Sequence, residues 1–80
     1  MKIQAIKKAV ESYTLDQLSK AEDDMMNEIV PSIELGGADE GENLTHALAA
    51  IWIVTEMKNQ QLDFNTALRI YTQKVRTSIN

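Results

Sequence analysis

One stretch limits what this chain can fold into more than any other: Leu44-Thr45-His46-Ala47-Leu48-Ala49-Ala50-Ile51-Trp52-Ile53-Val54-Thr55-Glu56-Met57. It is the only long apolar run in an otherwise polar, acidic sequence. At helical spacing, Leu44, Ala47, Leu48, Ile51 and Thr55 share one face, and Trp52 flanks it. His46, Ala50, Ile53 and Met57 form a second stripe, which leaves Thr45, Ala49 and Glu56 as a narrow polar seam. A helix apolar on nearly all sides has to be covered on most of them. The rest of the chain or a partner must supply the cover.

The chain has 80 residues, enough for one helical domain over 1–80 and one core. A chain of that size buries roughly 60–65% of its unfolded surface, a thin margin for stability. It has no cysteine, which removes disulfides, thiolate metal sites and thiol nucleophiles together. Close helix packing or oligomerisation is left to supply the stability. The net charge of −4 argues against a nucleic-acid partner, because phosphate binding needs a basic surface. All 12 acids lie between Glu11 and Asp63, whereas residues 1–10 and 64–80 are basic. Basic terminal helices beside an acidic middle explain this layout, and so does an acidic patch for a basic partner. No apolar segment follows Lys2 as a secretory leader would require. The 44–57 run is too short, and too marked by His46 and Glu56, to span a membrane. A cytoplasmic protein with no membrane partner is expected.

Four helices are expected, near 2–12, 14–29, 40–60 and 64–78, as a small all-α bundle around the central run. In the first, Ile3, Ile6, Val10 and Tyr13 recur at helical spacing. Thr14 with Gln17 has the capping-box pattern, and the helix it opens aligns Leu15, Leu18, Met25 and Ile29. Met25 and Met26 suit either core filling or an adaptable binding surface. Pro31 is expected to close that helix. Ile33-Glu34-Leu35 alternates before Gly36-Gly37, so it is either a loop lying on the helices or a strand paired across a dimer. Asp39 and Glu42 cap the long helix, and Asp39, Glu40 and Glu42 complement its dipole. Asp63 caps the last helix, with Phe64, Ala67, Leu68, Tyr71 and Val75 inward.

Little in the sequence carries chemistry. Glu42 and His46 stand at i, i+4 and can offer two metal ligands from one helix face. Carboxylate-bundle metal sites use Glu-x-x-His and further carboxylates instead, and His46 is the sole histidine. Asp39-Glu40-Gly41-Glu42-Asn43 lacks the twelve-residue spacing of a calcium loop. The serines fall in no nucleophile-elbow context, and the glycines match no phosphate loop. Arg69 and Arg76 are too few for a dicarboxylate-binding mutase site. An acyl carrier protein is excluded because no Asp-Ser-Leu attachment site is present. No catalytic residue, cofactor or metal is expected.

The run Asp39 to Ile53, together with the opening Met-Lys-Ile-Gln-Ala-Ile-Lys-Lys, resembles a group of short, all-helical, uncharacterised proteins of Bacteroidota, a domain of unknown function. The resemblance covers nearly the whole chain and carries no activity or catalytic residues to transfer. It implies a neighbourhood of thioredoxin- or peroxiredoxin-type proteins, which a cysteine-free chain could bind or scaffold but not join in thiol exchange.

The leading expectation is a non-enzymatic helical interaction module, homodimeric through the central helix. Leu44, Leu48 and Ile51 would be covered by the second and fourth helices, leaving His46, Ala50, Trp52, Ile53 and Met57 as interface candidates. The alternative cover for that stripe is the first helix with Ile33-Glu34-Leu35. Two rival readings are an acidic adaptor for a basic or redox partner and a metal protein centred on Glu42 and His46.

Overall fold

The computed structural model describes residues 2–79, with side chains through Thr77. It contains four helices and no strand among the described residues: α1 (Ile3–Ser12), α2 (Leu15–Met26), α3 (Glu40–Gln60) and α4 (Phe64–Ile79). The all-α expectation holds, and three of the four helices fall within a residue or so of their expected bounds.

Three of the four helix starts, those of α2, α3 and α4, are set by a side-chain cap, whereas α1 starts at Lys2 without one. Thr14 accepts from the Gln17 amide while the Gln17 side chain accepts from the Thr14 amide, a complete capping box. Asp39 Oδ1 accepts from the Glu42 amide at 2.8 Å, and Asp63 Oδ1 from the Thr66 amide at 2.8 Å. Each satisfies a donor that the first helical turn leaves without a partner.

The end of α2 departs from expectation. The helix stops at Met26, well before Pro31. Glu28 adopts a left-handed backbone, φ 62°. The Ile29 amide donates to the Asp24 carbonyl at 2.8 Å and the Glu28 amide to the Met25 carbonyl at 3.1 Å. Those two bonds make a Schellman motif, which normally carries glycine at the left-handed position. Proline is therefore not what closes α2. Ile29, expected on the inner face, is turned outward beyond the cap.

The segment after Pro31 is the loop alternative, not a strand. The Glu34 amide donates to the Tyr13 hydroxyl at 3.3 Å, and Leu35 is buried. Gly36 has φ 72°, and a Cβ there would lie 3.0 Å from the Ala5 Cβ. The chain passes so close to α1 that only glycine fits. The Gly37 amide donates to Asn43 Oδ1 at 2.7 Å, tying this loop to the first turn of α3.

α3 is the hub, and α1, α2 and α4 each pack against it. Ala9, Leu18, Ala21 and Leu35 meet Ala47, Ala50 and Val54 on one side of it. Ile6 and Ala67 meet Ala49 and Ile53 on the other. α1 contributes to both clusters, so it straddles α3 between α2 and α4. Three alanines of α3 are fully buried where these helices converge. Their small side chains let neighbouring backbones approach closely, and close approach maximises the dispersion contacts made along the helix.

Candidate interaction surface

His46 is where sequence and tertiary structure meet most tightly. Its ring is fully buried. Nε2 accepts from the Lys2 amide at 3.0 Å, so the proton sits on Nδ1, which donates to the Leu35 carbonyl at 2.6 Å. One imidazole thus joins the start of α1, the 33–37 loop and α3. Glu42, one turn earlier, faces elsewhere: its Oε1 accepts from the Ala38 amide at 2.6 Å and lies 3.9 Å from Lys2 Nζ. The Ala38 bond holds its carboxyl below the ordinary carboxylate range against an opposing desolvation, with a lesser contribution from the Lys2 charge. The i, i+4 spacing that suggests two metal ligands therefore serves two backbone ties. Among the described residues no group of three or more potential ligands comes together.

The interface stripe expected from the sequence is inside the chain. His46, Ala50 and Ile53 are fully buried, and Met57 is half-buried against the second cluster. α1 and the 33–35 segment supply cover over His46 and Ala50, as the in-chain alternative expected, and α4 joins α1 in covering Ile53 and Met57. Three of the five interface candidates thus have no surface to present. Trp52 is half-buried, with its ring centroid 5.6 Å from that of Tyr71 and Lys74 Nζ 6.0 Å above it. Burial also raises the Tyr71 hydroxyl above its ordinary range.

The other face of α3 is covered only in part, with Ile51 packed beside the α2 cluster and Leu48 standing out from it. Leu48 is 43% exposed, and Leu44, Ile51 and Thr55 are half-buried. The Thr55 hydroxyl donates to the Ile51 carbonyl at 2.8 Å, so that face carries no unmet polar group from it. Ala49, read from the sequence as part of a polar seam, is buried instead. α3 is rotated about its axis relative to the expected arrangement. The residues Leu44, Leu48, Ile51 and Thr55 of this partly covered face are spaced by four, three and four positions, the apolar spacing of a coiled-coil seam. That spacing was present in the sequence as a signal.

A second exposed apolar surface lies at the α2–α3 connection, where Met26 is 68%, Ile29 55% and Val30 82% exposed. Met25 and Met26 divide the two roles their sequence allowed, since Met25 packs on the core and Met26 does not. A hollow of about 110 Å³ opens here between Met25, Pro31, Asn43 and the two acids Glu28 and Glu40. That is well below the several hundred Å³ typical of metabolite sites and has room for about one side chain. On the far side, α4 bears a shallow basic groove with Leu68 at its base and Arg69 and Arg76 along it. Val75, expected inward, is partly exposed near the end of α4.

These features define a small all-α protein built on one helix, with exposed apolar surface at Leu48 and at the α2–α3 connection. The chain matches a family of unknown function, DUF6952, over residues 1–80, and it belongs to that family. No curated protein and no solved structure matches it. No helix among the described residues is long and apolar enough to cross a membrane.

Proposed function

We propose that this protein is a non-enzymatic helical interaction module of the bacterial cytoplasm that self-associates through α3. The observation that carries this reading is Leu48, 43% exposed in the middle of the most apolar helix of the chain, with the half-buried Leu44, Ile51 and Thr55 extending the same face. Contiguous apolar surface on a small protein marks contact sites. A two-fold pairing is the commonest way for one self-complementary face to be buried. Light scattering at high micromolar concentration tests it: the wild type should run at twice the chain mass and Leu48→Glu at the chain mass. A monomeric wild type would refute the reading.

A second reading is an acidic adaptor for a basic protein, including a redox protein of the thioredoxin or peroxiredoxin type. It is favoured by Met26, Ile29 and Val30 standing beside Glu28 and Glu40. Glu28 occupies a left-handed position where glycine is easier, and the cap holds Ile29 in place just after it. The carboxylate at that strained position is what an acidic wall for a cation would require. Val30→Asp should abolish capture of such a partner while leaving the mass in solution unchanged.

A further inference from the structure

We infer that two copies pair with their α3 helices antiparallel, Glu40 of each meeting Lys58 of the other. The inference rests on self-association through the partly exposed Leu48 face of α3 and adds its orientation and register.

Glu40 and Lys58 are both exposed. At 100° per residue they lie at the same angular position on α3, along the edge of the seam formed by Leu44, Leu48, Ile51 and Thr55. They mark its two ends, about 27 Å apart along the axis. The N-terminal end is acidic throughout, with Asp39, Glu40 and Glu42, whereas Lys58 is the charge in the last turn. A parallel pair would set acid against acid at one end and lysine against lysine at the other. An antiparallel pair places each lysine near the acidic end of the other copy, and it also opposes the two helix dipoles.

The seam fits the same register. With the two-fold axis between Leu48 and Ile51, each Leu48 faces the second copy's Ile51 and each Leu44 faces its Thr55. Glu40 and Lys58 then come opposite within about one residue's rise. The apolar pairing and the charge pairing therefore specify one alignment, although they rest on different residues. A single helix pair is a small interface, which belongs to the weak and reversible class.

Because the chain has no cysteine, introduced thiols report the geometry without interference. In the antiparallel pair Leu44→Cys and Thr55→Cys come together only between unlike chains. Like thiols would sit about 16 Å apart along the axis, beyond the roughly 7 Å Cα separation a disulfide spans. Under mild oxidation the equimolar mixture should form disulfide-linked dimer at least about ten times faster than either variant alone. Self-linking of each variant would overturn the orientation in favour of a parallel pair. A wild-type dimer by light scattering with no linking in any combination would overturn the interface itself. A wild-type monomer instead removes the underlying reading.

Charge reversal supplies the second arm. Glu40→Lys and Lys58→Glu should each weaken the dimer roughly 3- to 10-fold, as expected for exposed ion pairs. The double variant should recover the wild-type dissociation constant. Failure to recover, with both single variants equally helical, overturns the Glu40–Lys58 pairing, since a local effect of lysine at the α3 N-terminus would persist in the double variant.

Discussion

Two faces of one helix, close in hydrophobicity, meet opposite fates. The His46, Ala50 and Ile53 side of α3 is sealed, while the Leu44, Leu48, Ile51 and Thr55 side lies partly open. Apolar content does not separate them, because the open side has the larger aliphatic residues. Size and satisfiable polarity do. The sealed region is built on Ala47, Ala49 and Ala50, which let three helices approach, and on a histidine whose two ring nitrogens tie down the segments that cover it. Leu44 and Leu48 would hold any in-chain neighbour further away. The bulkiest stripe of a central helix is therefore not always the one the chain buries.

The largest difference between the two faces is expected at Ile53. Truncation of this fully buried side chain should cost about 2–5 kcal/mol, the range for large-to-small core changes. Leu48→Ala, in monomer-forming conditions, should cost well under half as much. Urea midpoints measured side by side decide it, and equal losses would show that the two faces are not distinct.

His46→Ala comes next. It leaves the Lys2 amide and the buried Leu35 carbonyl without their partner, a loss of about 2–4 kcal/mol for two such groups. Hydrogen exchange should show the start of α1 and residues 33–37 loosening before α4 does. Zinc added to the wild type should leave the melting temperature where it is, since a ligand that bound would raise it. An increase that His46→Ala abolished would mean that the imidazole can leave its backbone partners.

Smaller effects sharpen the same contrast at the helix ends. Glu28→Gly should stabilise the fold by about 0.5–1 kcal/mol by relieving a left-handed glutamate. If the adaptor reading holds, it should also weaken capture of the basic partner. A destabilised Glu28→Gly would show that the carboxylate contributes to the folded state itself.

The smallest effect concerns acid. Glu42 and Asp63 have folded-state values lowered from 4.5 and 3.8, Glu42 chiefly by its bond from Ala38 and Asp63 chiefly by its bonds with Thr66. Lowered values mean that their contribution is fully present above the unfolded values and is lost as pH falls through the folded ones. Stability should therefore decline gently from about pH 5 downward. Glu42→Gln with Asp63→Asn should flatten that slope in urea titrations between pH 5 and 3.

Most of the helical architecture was legible in the residues because its signals are local. Thr14 with Gln17, Asp39 and Asp63 start helices through bonds that span three residues, so the sequence alone places α2, α3 and α4. The end of α2 was not legible, because the Schellman motif set a glutamate, not a glycine, in the left-handed position. Pro31, the visible breaker, lay beyond the true end.

The residues alone specify four helices, the capped starts of α2, α3 and α4, an acidic middle and a central helix needing cover nearly all round. Only the tertiary structure decided which side of that helix is covered. The choice depends on contacts distant in sequence: the Lys2 amide on His46 Nε2, Leu35 on His46 Nδ1, and Gly36 against Ala5. Helical periodicity records which residues share a face. It does not record which face another segment can approach closely enough to pack, because that is settled by side-chain size and hydrogen-bond partners on both segments at once.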